Sequence, residues 1–367
     1  MNTSEDASNN EITCIQHSTH LESDIVPPSS NHKSTNWKIV FLFSGLVLAN
    51  AFVWIVSVSV YIPLAPSAVS SLVVAFTLGL RHALDADHIA AIDNTTRRFL
   101  MTGETPVTIG LFFSLGHSTI VVLATIVIAI VANTLFVDRY SQISSVIGSS
   151  ISASFLLLIA IINFISIHSI VVQMKALRQS DEHEDVKIDG GFFYSLFGEK
   201  FFRLIDRPWK LYFVGFLFGL GFDTSTEIAL LSVVVINAVS SSSAWLVVFL
   251  SLLFTCGMTL VDSIDSVLML KVYGWSVVSP LQKLHFNLFI TTLSVIFALG
   301  IALIEILAII QSQCSLEGPF WDLVSTAGDN FEFIGIFIAS SFILSFLVAL
   351  ISFKLNQKYK LTKDYKP

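Results

Sequence analysis

The chain has 367 residues, 54% of them hydrophobic and only 13% charged, with a mean hydropathy of +0.76. Soluble globular proteins carry about a quarter charged residues, so too few polar groups are present to cover the surfaces of soluble domains of this length. A formal net charge of -7 without a basic domain excludes nucleic-acid binding. Three scattered cysteines, Cys14, Cys256 and Cys314, form neither a disulfide framework nor a CxxC zinc site. The composition is that of a polytopic membrane protein.

In chain order, residues 1-36 are rich in Ser, Asn and acids and contain Pro27-Pro28, which predicts a disordered cytoplasmic tail. They lack the basic start and short apolar stretch of a cleaved signal peptide. Apolar runs of about 20 residues or more, the length needed to cross a bilayer, then recur eight times. They fall near 38-61, 68-92, 106-132, 146-172, 211-239, 244-272, 284-310 and 331-353. No run shows the alternation of a barrel strand, so the expected fold is an all-α polytopic membrane protein with one eight-helix domain over 37-353. Between the fourth and fifth spans lies a loop at 173-210. Its end, from Phe192 to Arg207, sets apolar residues at helical spacing around Lys200, Arg203 and Arg207, the pattern of a helix in the membrane interface. Residues 354-367 form a basic tail.

Charge distribution orients these spans. With both termini cytoplasmic, all 20 Lys and Arg except Arg139 in an outer loop and Arg81 inside a span fall on the inner side. A missing or extra span would destroy that segregation.

A charged group at bilayer depth costs at least about 2.5–3.5 kcal/mol on insertion scales and marks a functional site by default. Span two reads Arg81-His82-Ala83-Leu84-Asp85-Ala86-Asp87-His88-Ile89, span three contains His117, and span five contains Asp223 and Glu227. Span six contains Asp262 and Asp265, and Glu305 lies near the outer end of span seven. Imidazole and carboxylate suit late first-row divalent cations rather than Cu(I). An anion site would need several cations where the spans offer only Arg81, which is expected to pair with a carboxylate such as Asp85. At about 100° per residue, His82, Asp85 and His88 lie within one arc of span two, and Asp87 lies off it. On a regular helix rising about 1.5 Å per residue, His82 and His88 would be roughly 9 Å apart, too far to share an ion. The expectation is a helix broken near Leu84, as in transporters that bind ions with unwound segments. The alternative is two histidines serving successive positions on a path.

The chain also repeats itself weakly. Phe76-Thr77-Leu78-Gly79-Leu80 matches Phe216-Leu217-Phe218-Gly219-Leu220, and the matches end in His88-Ile89-Ala90 and Glu227-Ile228-Ala229. Phe113-Ser114-Leu115-Gly116-His117-Ser118 matches Phe254-Thr255-Cys256-Gly257-Met258-Thr259. With spans two and five running in opposite directions, this predicts an inverted repeat of spans 2-3 and 5-6, with the substrate site at the interface of its halves.

These residues resemble the nickel/cobalt transporter family of secondary permeases. Arg81 to Ile89 fits the family's RHAxDADHI stretch at every fixed position, and Phe113 to Ser118 is similar to its third-span motif. Leu220-Gly221-Phe222-Asp223-Thr224-Ser225-Thr226-Glu227 resembles LGFDTATE with Ser225 in place of Ala. Gly257 to Ser266 resembles GMxLxDTxDG with Ser263 and Ser266 in place of Thr and Gly. The resemblance spans roughly residues 37-353. It implies high-affinity uptake of Ni2+ and/or Co2+, with His82, Asp87 and His88 as the core metal residues. His117, Asp223, Glu227, Asp262 and Asp265 are further candidates, and Asp85, on the arc of the two histidines, is added to them. The Ser- and Asn-rich tail leans toward a fungal member in the plasma membrane.

The function expected is therefore secondary transport of a transition-metal cation through a midplane site. No ATP-binding P-loop is present, and no resident cofactor is expected, the metal being the substrate. Export, or transport of another divalent metal, is the nearer alternative. A membrane metalloenzyme is the more distant one, because the chain has no HExxH and five of its nine histidines fall in spans rather than in cytosolic boxes.

Overall fold

The computed structural model describes residues 32–101, 104–131, 134–179, 205–220, 225–240, 244–273 and 280–364, and every regular element among them is helical. A helix satisfies its backbone polar groups within the segment, as the hydrocarbon region requires. The elements are α1 (His32–Leu64), α2 (Val69–His82), α3 (Ala86–Met101), α4 (Ile109–Val131), α5 (Thr134–Gln179) and α6 (Leu211–Phe218). They continue with α7 (Ser225–Ser240), α8 (Val248–Tyr273), α9 (Pro280–Cys314), α10 (Pro319–Asp329) and α11 (Phe331–Asp364).

Six segments are each long and apolar enough to cross a membrane: Thr35–Leu64, Ile109–Ile130, Val146–Val172, Trp245–Val272, His285–Cys314 and Phe331–Val348. The pair Pro66–His82 and Ala86–Leu100, bent by 53° at the break between them, meets the same length and apolarity criteria when taken together. The fifth expected span falls on α6 and α7, with residues 221–224 between them outside the described residues. The protein is thus an all-helical, multi-pass membrane protein.

Several boundaries differ from expectation. α1 begins at His32, inside the stretch read as unstructured, and α11 continues to Asp364, so most of the basic tail is helical. α10 was not expected at all. It opens on Pro319 after Gly318, whose φ of 126° favours glycine, and it carries an apolar stripe too short to span a bilayer. The proposed interfacial helix lies mostly outside the described residues, although Ile205 near its end is buried with Phe99, Phe113 and Phe218.

Close approach of backbones holds the centre together, as small residues allow in membranes. α2 crosses α8 at Gly79 and Gly257. A methyl group on Gly79 would overlap the carbonyl oxygen of Phe254, and one on Gly257 would lie 2.8 Å from the amide nitrogen of Leu80. α4 crosses α6 in the same way, Gly116 resting on Tyr212 and Phe216 and Gly215 on Phe113. The segments matched in the weak sequence repeat thus pack crosswise, α2 on α8 and α6 on α4.

Candidate metal site

The bend between α2 and α3 creates the site. At the end of α2 the amide of Leu84 bonds to the carbonyl of Arg81 at 3.0 Å and that of Asp85 to the carbonyl of His82 at 2.9 Å, so the last turn tightens to a three-residue spacing. α3 then starts at Ala86, with Asp85 just before it and Asp87 in its first turn. Acidic residues at a helix N-terminus are favoured by its free amides and dipole. Neither proline nor glycine causes the break. It is a helix end followed by a strong helix start, and it brings His82 and His88 together.

His82, His88 and His117 each offer a ligand atom, and these atoms lie within 4.8 Å of one another. Their ring centroids form a triangle with sides of 4.6, 4.9 and 4.9 Å. Nitrogens bonded at about 2.1 Å around one tetrahedral cation lie about 3.4 Å apart, so a contraction of at most about 1.4 Å closes the set. All three histidines are buried. Phe113 packs edge-on against the His88 ring at 4.8 Å, and Phe254 lies 5.5 Å from His82.

Carboxylates orient the rings. His82 Nδ1 lies 2.7 Å from Asp85 Oδ2. A carboxylate oxygen accepts, so Nδ1 is turned to Asp85 and Nε2 faces the cluster. There Nε2 meets His117 Nε2 at 3.1 Å and Glu227 Oε1 at 3.8 Å. Glu227 Oε1 is 2.8 Å from His117 Nε2. On the opposite side His88 Nδ1 lies 3.3 Å from Asp262 Oδ2, which also accepts from Ser114 Oγ at 2.5 Å. Among the described residues, His88 Nε2, His117 Nδ1 and Asp262 Oδ1 are buried without a hydrogen-bond partner. Buried polar atoms rarely stay unsatisfied, and lone pairs on imidazole and carboxylate suit a late first-row cation.

Of the nine expected residues, the structure joins His82, Asp85, His88, His117, Glu227 and Asp262 in one constellation drawn from α2, α3, α4, α7 and α8, with Asp85 at the link between α2 and α3. Asp85 sits behind His82, on the nitrogen turned away from the cluster. Asp87 is buried in the first turn of α3, and Asp265 is buried one turn beyond Asp262. Asp223 lies outside the described residues. Arg81 does not pair with Asp85 as expected. The Nδ1–H of His82 takes that carboxylate, and the Arg81 guanidinium instead grips both oxygens of Glu332 on α11.

Sequence reasoning missed Ser114, although it stands one helical turn before His117 on the same face. It also missed a buried polar network on α3, two turns past His88. Asn94 Oδ1 accepts from Asn163 Nδ2 at 2.5 Å, Ser294 Oγ at 2.7 Å and Arg97 Nη2 at 3.2 Å. Arg97 Nη1 donates to Thr291 Oγ1 at 2.6 Å. This network ties α3 to α5 and α9. Glu305, left open from sequence, is buried and accepts from Ser152 Oγ at 2.7 Å, another tie between α5 and α9.

A family model described as "High-affinity nickel-transport protein" matches residues 68–352. The chain is 38% identical over 327 residues to a "High-affinity nickel transport protein" of Cupriavidus necator, covering 87% of this chain and 93% of that protein. It is 36% identical over 290 residues to the "Cobalt transport protein NhlF" of Rhodococcus rhodochrous, covering 76% and 81%. A "High-affinity nickel transport protein" of Cryptococcus neoformans var. grubii is 40% identical over 254 residues, covering 65% of this chain and 51% of that protein. No solved structure matches.

Proposed function

The chain belongs to the high-affinity nickel-transport protein family, and from that premise we propose that it carries Ni2+, Co2+ or both into the cell across the plasma membrane, through the cluster of His82, His88 and His117. The family is one of transporters, so the metalloenzyme alternative falls. One observation carries the assignment of the site: the break at residues 83–85 turns two histidines six positions apart into a pair with ring centroids 4.6 Å apart, beside a third. A regular helix could not do this.

The chemistry follows from the donors. A hydrated dication exchanges water for imidazole nitrogens, and Glu227 and Asp262 offset its charge in a medium where an unpaired charge is costly. Neutral imidazole favours late first-row metals over Mg2+ and Ca2+, which prefer oxygen. Asp85 fixes the tautomer of His82 as an outer partner, a common arrangement behind metal-binding histidines. Site residues from both repeat halves suit alternating access by rocking of one half against the other. Asp87, Asp223 and Asp265 complete the proposed set of metal residues.

The test is accumulation of radioactive Ni2+ over time in nickel-uptake-deficient cells expressing the chain, with cobalt and zinc as competitors. Saturable accumulation that disappears in His88→Ala and His82→Ala at equal membrane levels supports the reading. Full accumulation in both variants refutes the site, and release of metal from preloaded cells would replace uptake by export.

A further inference from the structure

α11 follows the broken span along its bend. Its first turn carries Glu332, whose carboxylate grips the guanidinium of Arg81 near the end of α2. One turn on, a methyl group on Gly335 would overlap the carbonyl oxygen of Leu84 and lie 3.0 Å from the carbonyl carbon of Asp85, so α11 rests directly on the backbone of the break. Further along, Ile338 and Phe342 are buried in one cluster with Ala86, Ile89 and Ala90 of α3. Glu332, Gly335, Ile338 and Phe342 recur every three or four residues and so form one face of α11. That face meets positions 81, 84–85 and 86–90 in order.

We propose that α11 is a splint for the metal site, with Glu332 and Gly335 as its positioning residues. The inference rests on the cation site proposed above. A helix broken without proline or glycine has no covalent reason to keep one bend angle. Its two pieces could straighten, which would carry His82 and His88 back to roughly 9 Å apart along a continuous helix. Glu332 holds the end of α2 through Arg81. The absence of a side chain at Gly335 lets α11 seat against the break, and Ile338 and Phe342 hold the start of α3. Three anchors on one rigid helix fix the angle between the two histidines, although α11 itself contributes no cluster residue. Arg81 is half exposed and Glu332 is buried. Their pairing therefore leaves no buried carboxylate uncompensated, and removing either partner costs more than an exposed pair would.

The experiment is equilibrium binding of radioactive Ni2+ to the purified full chain in detergent, run beside uptake in cells. Glu332→Arg and Arg81→Glu are each expected to weaken binding at least tenfold while the protein stays monodisperse. The double reversal Arg81→Glu/Glu332→Arg is expected to recover most of that loss, which a merely structural defect at either position would not do. Gly335→Ala should weaken binding, whereas Gly300→Ala, whose methyl group would enter open space, should not. If Glu332→Arg yields no monodisperse protein, Glu332→Gln takes its place. Unchanged affinity in the single variants, or a double reversal no better than either single, overturns the splint. A chain that binds Ni2+ through His88 but does not accumulate it overturns transport and leaves the binding series to decide this proposal. A chain that binds no Ni2+ overturns both.

Discussion

His88 and Glu227 occupy matching places in the two halves of the chain, each the third residue of a helix that begins at the site, α3 from Ala86 and α7 from Ser225. Both converge on His117: the His88 ring lies 4.9 Å from it between centroids, and Glu227 Oε1 lies 2.8 Å from its Nε2. The two matched segments thus bring an imidazole and a carboxylate to the same neighbour. Such convergence at the junction of two units is how broken-helix transporters build ion sites.

Glu227→Gln keeps the size of the side chain and removes its charge. Because this carboxylate faces two imidazole nitrogens in a buried cluster, the variant is expected to bind Ni2+ about 10- to 100-fold more weakly. Equilibrium binding to the purified chain measures it, and unaltered affinity would take Glu227 out of the site.

Asp85 separates an orienting residue from a ligand. Its Oδ2 is committed to His82 Nδ1 at 2.7 Å, a hydrogen bond that an asparagine carbonyl can still accept. Asp85→Asn should therefore raise the half-saturating Ni2+ concentration for uptake only a few-fold. Asp85→Ala, which frees the ring to turn, should raise it about 10- to 100-fold. Were Asp85 itself a metal ligand, both variants would fall together.

The crossing of α2 and α8 makes a prediction about stability rather than transport. Gly79→Ala drives a methyl group into the backbone of Phe254, which cannot move without shifting α8. Overpacking of this kind costs about 1–3 kcal/mol. Gly45→Ala on α1 places the same methyl group in open space. Thermal unfolding in detergent should therefore show a clear drop in melting temperature for the first variant and almost none for the second. Equal melting temperatures would mean that the crossing is looser than the packing indicates.

Six of the spans could be read from sequence because uninterrupted apolar runs have one physical meaning at this length. The bend could be read for a different reason: two histidines six residues apart cannot share an ion on a straight helix, which left a break or two successive positions as the readings. What escaped was tertiary. The partner of Arg81 lies 251 positions away at Glu332, with Asp85 a nearer and equally acidic candidate. Asn94, Arg97, Asn163, Thr291 and Ser294 each look like an isolated polar residue in an apolar helix, and only packing reveals them as a network. α10 escaped because its 11 residues are too few to span a bilayer and its apolar stripe is interrupted by polar positions.

Ser114 and Ser118 are both buried, and both belong to the short motif around His117, but the structure gives them different surroundings. Ser114 Oγ lies 2.5 Å from Asp262 Oδ2 and 2.8 Å from the carbonyl oxygen of Gly110. Ser118 Oγ makes no hydrogen bond among the described residues. Removing the Ser114 hydroxyl leaves Asp262 with the longer contact to His88 alone. A hydrogen bond to a charged group contributes about 1.5–3 kcal/mol, so Ser114→Ala is expected to weaken Ni2+ uptake about tenfold or more at low metal concentration. Ser118→Ala should stay within about a factor of two, since it removes a buried hydroxyl that satisfies nothing. Concentration-dependent uptake at matched membrane levels compares the two directly. Equal losses would mean that the whole motif, and not the Ser114–Asp262–His88 chain within it, governs binding.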